Sequence, residues 1–219
     1  NQGAGSVVIA PGSGAEAGGS VLISSGVSQN PSASGVVNIQ GGSELSLSTS
    51  TGSILMKTGD TMSTESGEVL IASGDSDTGS AGNVVIGAGS SKSAVGASTI
   101  VRGGINTAND GKGGELLLES GAGSIGGNVV VQPAAGGSVN VVTAESSVQS
   151  GSIALSTGTS ISDKAGDISV SAGTGATSGG SVSIRAGDGT IAGSVDVLSG
   201  HGVDGGIVTV SGSSAVDIH

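Results

Sequence analysis

The chain contains no cysteine, phenylalanine, tyrosine or tryptophan. Without cysteine there is neither a disulfide framework nor a thiolate metal site. Aromatic side chains supply much of the bulk of an ordinary core. A core of Val, Ile and Leu alone is thin, which argues against a wide enclosed pocket and against most enzyme folds. Charge is scarce and lopsided: six Lys/Arg stand against 17 Asp/Glu, for a formal net charge of -11. An acidic surface without stacking groups excludes nucleic acid as a natural partner. No apolar run approaches the ~18 residues of a membrane span, and no basic amphipathic helix is visible.

What is abundant is glycine, 45 of 219 residues, together with Val and Ile in ordered positions. One pattern recurs from end to end: Gly, a small polar residue, then apolar-any-apolar, then a Ser, Thr or Ala before the next Gly. Clear copies are Gly19-Ser20-Val21-Leu22-Ile23-Ser24-Ser25-Gly26 and Gly180-Ser181-Val182-Ser183-Ile184-Arg185-Ala186-Gly187. Others centre on Val69/Ile71, Val84/Ile86, Leu116/Leu118, Val129/Val131, Ile153/Leu155, Ile168/Val170 and Val195/Val197. Looser copies centre on Leu45/Leu47, Ile54/Met56, Val139/Val141, Val208/Val210 and Val216/Ile218. With Val7/Ile9, Val37/Ile39 and the degraded Thr99/Val101, there are about 17. The first, seventh and thirteenth copies start at Val7, Val84 and Ile168, roughly 80 residues apart, so a longer period of six copies is superimposed on the short one.

Apolar residues two apart in β-branched runs bounded by Gly are a strand signal. No stretch has helical periodicity. A single copy is too small to bury its own apolar pair, so the pattern predicts stacking of copies. The expected fold is all-β: a β-solenoid, parallel β-helix-like, of about 17 short strands. Three-sided rungs group the copies slightly more evenly than two-sided ones, and a β-sandwich of hairpins is the alternative. The whole of 1–219 reads as one repeat domain, a segment of a longer repetitive chain or fibre. Val21, Ile23, Val69, Ile71, Val182 and Ile184 are the expected inward residues.

Stretches such as Gly151-Ser152-Ile153-Ala154-Leu155-Ser156-Thr157-Gly158 and Gly166-Asp167-Ile168-Ser169-Val170-Ser171-Ala172-Gly173 resemble the repeat regions of extracellular β-solenoid surface proteins. Filamentous-haemagglutinin-type adhesins and Gly/Ser-rich repeat proteins of microalgae are similar in this respect. The resemblance implies surface fibres, adhesion or matrix assembly, outside the cell or on its surface. It supplies no catalytic residue.

Sites of chemistry find little support. Gly121-Ala122-Gly123-Ser124-Ile125-Gly126 and Gly200-His201-Gly202-Val203-Asp204-Gly205 match the dinucleotide fingerprint in spacing. That motif needs a following helix N-terminus for the pyrophosphate, and both run into another copy instead. No cofactor is expected. His201 and His219 are too few for most zinc sites, and no serine stands out as a nucleophile beside His201 and Asp204, so the chain is not expected to be an enzyme. Asp75-Ser76-Asp77 offers oxygens for an adventitious Ca²⁺ but lacks the regular spacing of a calcium repeat. Ice or polysaccharide binding is the alternative function, although only Thr209 among the centre positions of the copies is the threonine that an ice-binding ladder needs.

Those centre positions carry the most specific signal. In order they read Val8, Leu22, Asn38, Ser46, Leu55, Leu70, Val85, Ile100, Leu117, Val130, then Asn140, Ala154, Ser169, Ser183, Asp196, Thr209 and Asp217. Eight of the first ten are large and apolar, and none of the last seven is, whereas a strand buried on one face alternates apolar and polar. An aligned apolar stripe marks a contact, either with a lateral partner or with a loop of the same chain that covers it. Leu22, Leu55, Leu70, Val85, Leu117 and Val130 are the candidate self-association residues, and a further copy of the chain is the expected partner. No capping helix or charged end segment is visible, which adds an expectation of end-to-end association or of a longer parent chain.

Overall fold

A computed structural model describes residues 5–26, 28, 34–62 and 65–212. The chain divides into two units, Asn1–Leu116 and Leu117–His219. Among the described residues there is neither a helix nor a strand, and no side chain is buried. The expected β-solenoid of about 17 strands is therefore overturned, whether three-sided or two-sided, and so is the β-sandwich. The expected inward residues are exposed: Val21, Val69 and Val182 keep at least half of their accessible surface, and Ile23, Ile71 and Ile184 keep more. The copy at Val216/Ile218 lies outside the described residues.

What the structure keeps of the pattern is local. In the copies at Val21, Ile54, Val69, Val84 and Val129 exposure rises and falls with a period of two, as side chains do on extended backbone. From the second copy onward the first apolar residue is the best covered, at 44% (Val37) to 57% (Val129), the degraded copy at Thr99 apart. At Leu22, Leu55, Leu70, Val85 and Val130 the large apolar centre residue stands further out than either flanking neighbour.

The copies are joined by loops that close at their base. Seven loops close on a hydrogen bond from one glycine N–H to another glycine carbonyl: Gly19 to Gly12, Gly35 to Gly26, Gly114 to Gly104, Gly127 to Gly121, Gly180 to Gly173, Gly193 to Gly187 and Gly206 to Gly200. The N···O distances run from 2.8 to 3.0 Å. The chain thus turns back at seven of the Gly-punctuated junctions between copies.

The two glycines of each closure are not equivalent. The donor lies close to the residue before the acceptor in six of the seven closures, and Gly114 lies close to its acceptor Gly104 itself. A Cβ on Gly180 would lie 3.2 Å from the Ala172 Cβ, and one on Gly206 would lie 3.3 Å from the Ser199 Cβ. The acceptors Gly12, Gly26, Gly104, Gly121, Gly173, Gly187 and Gly200 have open space where a Cβ would go. The same approach recurs without the hydrogen bond where Thr58 faces Gly67, Thr143 faces Gly151 and Thr157 faces Gly166. Apart from Ser28, the most shielded described residues are Thr58, Gly103, Ser120, Ala186 and Ser199. Four of them immediately precede the carbonyl acceptor of a loop base, and Thr58 is the residue that faces Gly67.

The shortest closure is a turn. Gly137 donates to the Ala134 carbonyl at 2.9 Å, and Gly136 has φ of 79°. Positive φ at the third position of a four-residue turn is what a type II turn requires and what glycine supplies.

The absence of a sheet among the described residues has a physical reason. A strand is defined by a ladder of backbone hydrogen bonds, whereas here one bond at each loop base pins only the ends of adjacent copies. Glycine and serine flank every copy, and glycine costs about 0.5–1 kcal/mol relative to alanine in regular structure. Two or three large apolar residues per copy, with no aromatic among them, do not repay the ordering of the remaining residues at about 1–2 kcal/mol each.

Candidate self-association surface

The surface arises from this backbone. On extended chain the centre residue of a copy points away from its two flanking neighbours. Where all three are apolar, the copy is apolar on both sides and can hide neither within itself. Leu22, Leu55, Leu70, Val85, Leu117 and Val130 are 70–89% exposed. The first four belong to the unit Asn1–Leu116 and the last two to the unit Leu117–His219.

Charges sit at the loops. Lys57 pairs with Asp60 at 2.9 Å, Lys164 with Asp167 at 2.6 Å, and Arg185 with Asp188. Each pair spans three residues, and the small residue and Gly between its members belong to a loop base: Thr58-Gly59, Ala165-Gly166 and Ala186-Gly187. Both partners of every pair are well exposed, and such pairs contribute little to stability. Lys92, Arg102 and Lys112 make no ion pair among the described residues.

One loop is organised by a side chain. The Asn106 Oδ1 accepts from the Ala108 N–H at 2.8 Å, and its Nδ2 donates to the Lys112 carbonyl at 3.3 Å. Around it the Gly111 N–H donates to Ala108 and the Gly114 N–H to Gly104. The side chain thus replaces backbone partners across the middle of the loop.

The glycines that mimic the dinucleotide fingerprint have a different job. Gly121 and Gly200 are carbonyl acceptors of loop bases, closed by Gly127 and Gly206. No helix follows either among the described residues. His201 lies in the second of these loops without a hydrogen bond to a serine or to Asp204, and His219 lies outside the described residues. At Asp75-Ser76-Asp77 the Ser76 Oγ accepts from the Gly79 N–H at 3.1 Å. No group of three His, Cys, Asp or Glu among the described residues is arranged to hold a metal ion, and no cavity is enclosed among them. No helix among them is long and apolar enough to cross a membrane.

The loop-base pairs are the feature that reading the sequence missed. Its signal was present: in five of the seven closures Ser or Ala stands before one Gly, and a second Gly follows six to nine residues later. The first Gly is replaced by Ala134 and Ala144 in two copies, while Gly137 and Gly151 hold the crowded positions. No family model, curated protein or solved structure matches this chain.

Proposed function

We propose that this protein is a non-enzymatic structural component of an extracellular or cell-surface fibre, sheath or adhesin, built by association of the chain with further copies of itself. One observation carries the reading: the single chain leaves its apolar side chains in water. Its accessible surface is 21809 Å². A compact chain of 20.1 kDa exposes about 8,700 Å², and an unfolded one about 29,000 Å². The chain hides only about a quarter of its unfolded surface. A sequence that is 35% hydrophobic and covers so little of itself gains its burial from outside.

Another copy is the partner that the repeat favours, because triplets such as Val21-Leu22-Ile23 and Val84-Val85-Ile86 meet the same triplets in their counterpart. The similarity to surface-fibre repeats supports the same reading and a location outside the cell. Sedimentation over a concentration series, with negative-stain electron microscopy of the heaviest fraction, tests this. Mass that climbs with concentration, together with elongated particles, is the expected outcome. Monomer alone at millimolar concentration refutes it.

A further inference from the structure

Aspartate followed by glycine occurs three times: Asp110-Gly111, Asp188-Gly189 and Asp204-Gly205. Each pair lies inside a loop closed by two glycines, and all six residues are exposed and outside any helix or strand. A glycine after aspartate has no Cβ to hold its nitrogen away from the carboxyl carbon, so such a pair can cyclise. The glycine nitrogen attacks the aspartate Cγ, an N–Cγ bond forms, and the nitrogen's proton leaves with the carboxyl hydroxyl as one water. The product is a five-membered succinimide. Water then adds at one of its two carbonyls. Addition at Cγ restores aspartate, whereas addition at the backbone carbonyl carbon leaves the chain running through Cβ, as isoaspartate. One water is lost and one regained, and nothing is oxidised or reduced. We propose that Asp204 is the chain's principal site of spontaneous isomerisation, and that local contacts protect Asp110 and Asp188.

Three observations separate the sites. The first is the nucleophile. The Gly111 N–H is engaged with the Ala108 carbonyl at 3.2 Å, whereas the N–H groups of Gly189 and Gly205 make no hydrogen bond among the described residues. The second is the carboxyl group. Asp188 is held by Arg185 and must leave it before meeting the Gly189 nitrogen. Asp204 has no ion pair among the described residues. The third is room for the ring. The Asn106 amide fills the space beside Gly111 where a Cβ would stand, and the Ile191 carbonyl oxygen lies 3.2 Å from the same point on Gly189. Around Gly205 nothing lies within 4 Å. Of the three pairs, only Asp204-Gly205 is unhindered on every count. Its loop is also the one with most to lose. Isoaspartate adds one atom to the main chain two residues before the Gly206 nitrogen, which closes the loop on the Gly200 carbonyl at 3.0 Å. Isomerisation therefore loosens that closure. None of this depends on the self-association proposed above.

The test is prolonged incubation of the full chain at high dilution and about pH 5, where part of each carboxyl carries the proton that the leaving water needs. Tryptic digestion with electron-transfer fragmentation then reads isoaspartate at each site. Isoaspartate is expected to accumulate at Asp204 about two- to five-fold faster than at Asp188, which gives up an exposed ion pair to react. The lead over Asp110, whose neighbour gives up a hydrogen bond, is expected to be about five-fold or more. In concentrated urea, which opens the loops, the three rates should converge. Arg185→Gln should raise the rate at Asp188 and leave Asp204 as it was. Gly205→Ala, placed where a Cβ has open space, should remove the lead of Asp204 while the Gly206 amide stays protected. Equal rates at the three sites without urea overturn the proposal, as does an order that persists in urea, since neighbouring residue types rather than contacts would then set it. An Asp188 rate that Arg185→Gln does not move also overturns the protection assigned to the ion pair.

Discussion

Gly114→Ala and Gly104→Ala alter the two ends of one hydrogen bond and should behave oppositely. The Gly114 N–H donates to the Gly104 carbonyl at 2.9 Å. A Cβ on Gly114 would stand 2.8 Å from the Gly104 nitrogen and 3.4 Å from its oxygen. Relieving the nitrogen contact means separating the two backbones by about 0.6 Å, which stretches the N···O distance to about 3.5 Å, beyond a useful hydrogen bond. Such a bond contributes about 1 kcal/mol net, so the amide at position 114 should lose about a five-fold protection from exchange. A Cβ on Gly104 meets nothing within 4 Å, and Gly136 alone among the described glycines has positive φ. Alanine there only restricts the open loop, which favours closure by about 0.4–1 kcal/mol, and protection at Gly114 should rise about two- to five-fold. Magnetisation-transfer NMR with water reads both amides. Equal effects from the two substitutions, or undiminished protection in Gly114→Ala, would falsify the crowded-donor account.

Three further outcomes are expected. Self-association should strengthen as salt rises from about 0.01 to about 0.15 M, because screening over about 8 Å relieves repulsion between chains of net charge -11; it should strengthen again as pH falls toward the sequence pI of about 4.2, and weaker association at pH 4.5 than at pH 7 contradicts this. Asp188→Asn removes the exposed partner of Arg185 and should change the Gly193 amide protection by less than about two-fold, a larger loss showing that the pair helps to hold the loop. Dilute monomer should give a far-ultraviolet circular dichroism spectrum with neither a helical nor a strong strand minimum, and a pronounced strand signal at micromolar concentration counts against the coil architecture.

The sequence made the local features legible and left the pairing hidden. Gly19-Ser20-Val21-Leu22-Ile23 announces a segment with period-two exposure, and Gly26 announces a reversal; both are present. Period two is a property of one segment, however, and says nothing about what lies beside it. The step from alternating Val and Ile to stacked strands assumed that apolar residues in register find each other. Val182 and Ile184, expected inward, are 53% and 76% exposed, because the hydrogen bond from Gly180 to Gly173 holds one end of the copy and no ladder continues from it. The helix-free reading needed no such step, since no window has helical spacing. Gly121 and Gly200 matched the dinucleotide motif because both motifs use glycine for close backbone approach; the lack of a helix after either glycine told them apart. The difference between crowded and open glycines depends on which partner sits across the loop, and only Ala134 and Ala144 hinted at it.

Loop closure that reaches back only six to ten residues has a consequence for synthesis. Loops of about ten residues close in tens of nanoseconds, while a ribosome adds about 5–20 residues per second. Each of the seven closed loops therefore forms as soon as its second glycine emerges, without waiting for anything downstream. The Gly19–Gly12 closure can form before Val37 has been made, and the Gly206–Gly200 closure needs nothing made before Ser199. Premature termination or the excision of whole copies should leave the earlier closures as they were, so the gene is free to gain and lose copies with no penalty to those that remain.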